Sequence, residues 1–270
     1  MSTNEASVSD LFLDTSAQFN RHSLDTESKR EIEQLLDTAR ITGTSTYARL
    51  EFKMSFLQDL AYLHAMLRQF QAFDRLYAHL ARLPEPHNRK LRRALDHLGR
   101  FWQNIPGDDT ERIDAILLCI EQQGPSLWRW FDASVDYVAD GTGCVRSTEP
   151  PRLRGRHFEV TMKRCRPERI RCRIHKFFGE NRIHFDAMTR EINLLPTEEK
   201  TIELRALEQI TARATADPTI LCDDRICRKI GDALIGVDGM AFPAIVSSNV
   251  REFKTICRAL GKELVQIRHS

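Results

Sequence analysis

Leu11-Phe12-Leu13 is the first apolar cluster of the chain, and it stops abruptly at Asp14-Thr15-Ser16. A run that is apolar at every position suits a short strand buried on both faces, and the polar triplet suits the turn that leaves it. Behind Thr26-Glu27-Ser28-Lys29, Ile32, Leu35, Leu36 and Ala39 recur at helical spacing. Ile41 to Thr46 is rich in β-branched residues and predicts a second strand. From Tyr47 to about Leu83 the apolar residues repeat at three and four, and Pro84-Glu85-Pro86 ends that helical run. Residues 88–103, 109–123 and 126–138 read as further helices, separated by Pro106-Gly107-Asp108 and by Gly124-Pro125. Asp140-Gly141-Thr142-Gly143 and Pro150-Pro151 mark loops, and residues 182–212 are helical with a break near Pro196 and Thr197 as a cap.

Beyond Pro218 the pattern alternates again. Ile226 to Val237 predicts a helix or a helix pair around Gly231. Ala244 to Ser248 predicts a strand ending in Asn249, Phe253 to Leu260 a helix closed by Gly261, and Leu264 to Ile267 a last strand. Residues 8–53 and 219–270 thus form one discontinuous α/β unit, and 54–218 is a mostly helical insertion within it. The fold class expected is α/β, with three layers (α/β/α) and a mainly parallel central sheet.

Composition narrows the setting. Hydrophobic residues make up 41% of the 270-residue chain, charged residues 29%, and the formal net charge is +2. This is an ordinary globular balance, and any nucleic-acid signal must be local. Seven cysteines without a tight repeat argue for free thiols in a reducing compartment. The N-terminus is polar, and no apolar run approaches the roughly 18 residues that span a bilayer. A cytoplasmic protein without a membrane segment is the expectation.

The chemistry gathers at strand ends, where open parallel sheets hold their ligands. Asp14 follows the first strand, Glu51 lies early in the helix after the second, Asp232 opens an apolar helical segment, and Asn249 follows a third strand. Convergent carboxylates repel and stay ionised when a cation joins them, and hard oxygen ligands select Mg2+ or Mn2+. Two such ions clamp the attacking and leaving oxygens in phosphodiester hydrolysis. Each residue also has a plainer role open to it. Asp14 suits a cap, Glu51 a surface helix position, Asp232 an N-cap after Gly231, and Asp224 a cap or an ion-pair partner. Asp223 and Asp238 read as solvated.

Three stretches, "LFLDTS" (11–16), "TSTYARLEFK" (44–53) and "GDALIGVDGMAFPAIVSSNVREF" (231–253), together resemble the motifs of the PIN-like metal-dependent nucleases. The resemblance covers about 100 residues at the two ends of the chain. It implies metal-binding roles for Asp14, Glu51 and Asp232, with Asn249 at the fourth position; Asp224, eight residues before Asp232, is open as a replacement for the charge that Asn249 lacks. It also implies a metal-dependent endoribonuclease, with RNA preferred to DNA on the strength of the resemblance alone. Toxin and defence members imply an inhibitory or complex-forming protein partner, for which the insertion offers a docking surface, and oligomers are open. The chain departs from the pattern in carrying an amide, Asn249, at the fourth position, and in the length of its insertion. A PIN-like scaffold that binds RNA or a protein without cutting is the alternative, and a helical interaction protein with structural α/β ends is a third.

Residues 152–182 hold eleven Lys and Arg against three Glu, with Phe158, Phe177, Phe178 and His175 available to stack on unpaired bases. The same segment, with Cys144 before it, contains Cys165 and Cys172-x-x-His175, a spacing compatible with part of a zinc site. Paired Cys-x-x-Cys knuckles are absent, and free thiols are the reading preferred. Trp128-Arg129-Trp130-Phe131 reads as core rather than a ligand box.

Overall fold

The computed structural model describes residues 9–22, 26–84, 92–95, 104–162, 165 and 172–267. Its centre is a five-stranded, all-parallel sheet in the order β3-β2-β1-β6-β7. The strands are β1 (Leu11–Leu13), β2 (Thr42–Ser45), β3 (Tyr137–Ala139), β6 (Ala244–Ser247) and β7 (Glu263–Gln266). The two-residue period of β1 divides the core. Leu11 and Leu13 pack with Ala17, Ile32 and Val246 on one face, while Phe12 packs with Phe242, Ile245 and the larger cluster on the other. Helices α1 (Thr15–His22) and α2 (Thr26–Leu36) supply the first layer. On the opposite face lie α3 (Thr46–Phe52), α11 (Gly231–Asp238) and α12 (Val250–Leu260). Close packing there leaves no room for a side chain at residue 43, because a Cβ on Gly43 would stand 2.3 Å from the Phe242 ring.

The third strand comes from inside the stretch read as an insertion. Residues 126–138 were expected to be one helix, yet the helix ends at Ala133 and Tyr137–Ala139 pairs in parallel with β2. The helix also runs unbroken from Asp109 through Gly124-Pro125, as α6 (Asp109–Ala133). Its start is fixed by a capping box, in which Asp108 Oδ1 accepts from the Thr110 and Glu111 N–H groups and Glu111 returns a bond to the Asp108 N–H.

The long helical run after Tyr47 is segmented. A π-helical turn, Lys53–Leu57, separates α3 from α4 (Gln58–Phe70), and Gln71 at φ +52° ends α4 before α5 (Phe73–Leu80). Of the helix expected over 88–103, only Arg92–Leu95 falls among the described residues, and these are helical. Strands β4 (Arg152–Arg154) and β5 (His157–Glu159) form an antiparallel hairpin that the sequence did not suggest. Next come α7 (Ile174–Glu180), α8 (Arg182–Leu194) and α9 (Ile202–Ala216). The cap of α9 is Thr201, not Thr197, through its Oγ1 and the Leu204 N–H at 3.2 Å. The helix pair around Gly231 is α10 (Asp224–Arg228) and α11. Among the described residues no helix is long and apolar enough to cross a membrane.

Candidate functional site

Strand register brings the first pieces of the site together. Leu13 lies beside Val246, so the next residues, Asp14 and Ser247, are neighbours although 233 positions separate them. Asp14 is 3% exposed. Its carboxylate accepts from Ser247 Oγ at 2.7 Å, from Ser16 Oγ at 2.8 Å and from the Ala17 N–H at 2.8 Å. The last bond caps α1, so Asp14 is both a cap and a member of the site. Ser16 and Ser247 are themselves fixed, since the Ser248 N–H donates to Ser16 Oγ and the Asn249 N–H to Ser247 Oγ.

Glu51 sits between the other two segments. Its Oε2 accepts from Thr15 Oγ1 at 2.6 Å, and a Cβ on Gly231 would stand 2.1 Å from its Oε1. One carboxylate therefore touches the residue after Asp14 and the residue before Asp232. Asp232 lies in the first turn of α11, whose N-cap position belongs to Ile230, so it does not serve as the cap. Its Oδ2 accepts from Asn249 Nδ2 at 2.9 Å. Helices α1, α11 and α12 begin at Thr15, Gly231 and Val250, so three positive dipole ends lie beside the acidic groups.

Burial and mutual repulsion dominate the electrostatics. Burial pushes Asp14 up to about 6 against the hydrogen bonds from Ala17, Ser247 and Ser16. Glu51 is pushed up to about 7 by burial, with the Thr15 bond opposing and the Asp14 charge adding. Asp232 rises well above the usual carboxylate range, through burial first and then the charges of Glu51, Asp14, Glu252 and Glu203. Glu51 and Asp232 nevertheless keep partial exposure on a cleft of about 200 Å3, whose lining includes Glu203, Glu252, Arg228 and Lys229.

Glu252 and Glu203 were not singled out in the sequence as site residues. Glu252 stands three residues after Asn249 in the first turn of α12, a spacing that shares a helix face and was a legible signal. Glu203 reaches the cleft only because α9 packs there, and nothing local in the sequence marks it.

Asp224 is not brought to this cluster, which corrects the expectation that it completes the site. It forms ion pairs with Arg146 and with Arg228, the latter at 3.1 Å. Asp223 is exposed and caps α10, accepting from the Arg225 N–H at 2.7 Å. Asp238 is not simply solvated. Burial raises its carboxyl to about 7, opposed by bonds from the Gly141 N–H and Ser45.

The basic segment is also revised. Phe158, Phe177 and Phe178 are 4%, 8% and 1% exposed, so they are core and present no ring face to a base. The hairpin carrying Arg152 and Arg154 packs on α4 and α6, within the helical part of the chain. Residues 163, 164 and 166–171 of the segment lie outside the described residues. Trp128 and Phe131 are buried, as the core reading required, whereas Trp130 is half exposed.

An oxygen-only donor set of Asp14, Glu51 and Asp232 suits Mg2+ or Mn2+. Their raised proton affinities fit a divalent cation too, because its charge would remove the repulsion that causes part of the rise. As the side chains lie, no three described His, Cys, Asp or Glu groups surround a common point. Each carboxylate is turned instead onto a neutral donor: Ser247 and Ser16, Thr15, or Asn249. The residues fit such an ion in chemistry and in fold position. No protein-family model, curated protein or solved structure matches the chain.

Proposed function

We propose that the chain is a divalent-metal-dependent phosphodiesterase of the PIN-like kind, acting on RNA. One observation carries this reading: Asp14, Glu51 and Asp232, from three distant segments, meet beyond the carboxyl end of β1, where Asp14 raises the proton affinity of Glu51 and both raise that of Asp232. A structural role alone would favour pairing buried acids with Lys or Arg, as the buried Asp59 is paired with Arg93. Mg2+ or Mn2+ supplies the charge that neutralises the cleaved phosphodiester. Asp14, fixed by three donors, is the rigid ligand of the set. Glu51 and Asp232 each rotate away from a single neutral donor to join it, and Asn249 orients Asp232.

A groove of about 810 Å3 adjoins the cleft and shares Glu203 and Glu252 with it. Arg251, Lys254 and Arg258 line one wall at the three- and four-residue steps of α12, and Lys200 and Arg205 line the other. Acidic Glu198 and Glu199 are there as well. A row of exposed cations leading from a carboxylate site suits a phosphate backbone held across the cleft. The choice of RNA rests on the resemblance of residues 11–16, 44–53 and 231–253 to the PIN-like motifs.

The decisive measurement incubates purified protein with pooled RNA and DNA in Mn2+ and in EDTA. Cleavage in Mn2+ alone is expected. Asp14→Asn and Asp232→Asn are expected to reduce it at least 100-fold while RNA binding persists, and cleavage unchanged by both substitutions would sink the reading. The second reading, an RNA-binding scaffold that does not cut, is favoured by the neutral Asn249 on Asp232. It predicts binding without metal-dependent products.

A further inference from the structure

Five of the seven cysteines gather in one region, although they are spread from residue 144 to residue 227. Cys144 follows β3, Cys165 and Cys172 belong to the basic segment, Cys222 ends the 3-10 turn Pro218–Cys222, and Cys227 lies on α10. Cys222 is the best defined. Its Sγ stands 3.8 Å from His175 Nδ1, its thiol lies near enough to that of Cys172 to be influenced by it, and its carbonyl accepts from Cys165 Sγ at 3.3 Å. Cys144 and Cys227 lie behind this group, close enough to feel the charges of Cys165 and Cys172. All five are free thiols. Cys119 and Cys257 are buried elsewhere and behave as small core residues.

We infer that Cys165, Cys172, Cys222 and His175 form a structural zinc site that fastens the basic segment to the connection leading into α10 and α11. A tetrahedral ion with Zn–S near 2.3 Å and Zn–N near 2.0–2.1 Å sets an S···N edge of about 3.6 Å. The Cys222 to His175 distance is already close to that edge. The groups are gathered rather than closed about one point, so binding requires the side chains of Cys165, Cys172 and His175 to turn toward Cys222. Cys227 is held apart by the Tyr47 hydroxyl, 3.7 Å from its sulfur, and stays outside the first coordination sphere. Sequence spacing showed only Cys165 and Cys172-x-x-His175, because Cys222 is 50 residues from Cys172 and no paired knuckle announces it.

The test is zinc content of the full chain, purified without chelator and measured by elemental analysis. One equivalent per chain is expected, and it should persist in the Asp14→Asn, Asp232→Asn double variant, which separates this site from the carboxylates. Cys172→Ser and Cys222→Ser should each abolish it, and His175→Ala should speed zinc release to a chelating dye at least tenfold. Should a serine variant fail to fold, alkylation of the native chain followed by mass spectrometry decides the matter. Cys165, Cys172 and Cys222 should resist alkylation and become reactive once a strong chelator is added, while Cys119 and Cys257 do not change. Absence of zinc after purification from zinc-supplemented cells, a disulfide between Cys172 and Cys222, or alkylation unaffected by chelator would each overturn the inference.

Discussion

Burial and the nearby Asp14 charge push Glu51 up to about 7, and burial carries Asp14 itself to about 6. A carboxyl whose folded pKa lies above its unfolded value keeps its proton in the folded chain where the unfolded chain has lost it. Its contribution to stability is therefore full below about pH 4 and declines as pH rises to about 7. The metal-free protein should lose melting temperature across that window, and Mn2+ should restore more of it at pH 7.5 than at pH 5. Glu51→Gln removes one of the repelling charges while keeping an acceptor for Thr15. It should raise the metal-free melting temperature at pH 7.5 by on the order of 4 °C, about 1–2 kcal/mol, and abolish most of the Mn2+ effect. Calorimetry in EDTA and in Mn2+ at the two pH values checks both statements; a flat pH response would remove repulsion from the account.

At the scale of elements, α11 and α3 approach so closely that residue 231 decides where Glu51 can stand. A Cβ on Gly231 meets the far end of the Glu51 side chain at 2.1 Å and the Tyr47 ring at 3.0 Å. The carboxylate can swing away, and alanine also favours the helix by up to about 1 kcal/mol over glycine. Gly231→Ala should therefore leave the melting temperature within about 3 °C while lowering metal-dependent cleavage at least tenfold. Gly43→Ala is the contrast, because its Cβ meets the buried Phe242 ring at 2.3 Å and the core must shift, at about 1–3 kcal/mol. If Gly231→Ala cleaves like the parent chain, Glu51 is not held where the site needs it.

Over the whole molecule, the question is which basic surface meets a polyanion. The groove wall of Arg251 and Lys254 adjoins the carboxylates, whereas the hairpin of Arg152 and Arg154 packs on α4 and α6. Reversing Arg251 and Lys254 to Glu should weaken single-stranded RNA binding and make its salt dependence shallower. Each lost phosphate contact changes the slope of log K against log salt by about 0.7, so a change near 1.4 is expected. Arg152→Glu with Arg154→Glu should leave that slope within about 0.3 of the parent. Filter binding over a salt series measures both, and the opposite ranking would move the nucleic-acid path to the hairpin.

The sequence by itself determined the central strands and the carboxylates at their ends. Leu11–Leu13 and Ala244–Val246 are short, wholly apolar runs that suit strands buried inside a sheet, and that demand is local. Asp14, Glu51, Asp232 and Asn249 were legible for the same reason, since each stands at a fixed offset from such an element. Tertiary structure decided what depends on partners far along the chain. Tyr137–Ala139 is a three-residue edge strand whose identity comes from pairing with β2, and its own pattern continues a helix. Asp224 reads from sequence as either a site residue or an ion-pair partner, and Arg146, 78 residues away, decides for the ion pair. Phe158, Phe177 and Phe178 looked like stacking rings until helix packing buried them. The cysteines looked scattered because nothing in a chain's order records which thiols its fold will bring within reach of one another.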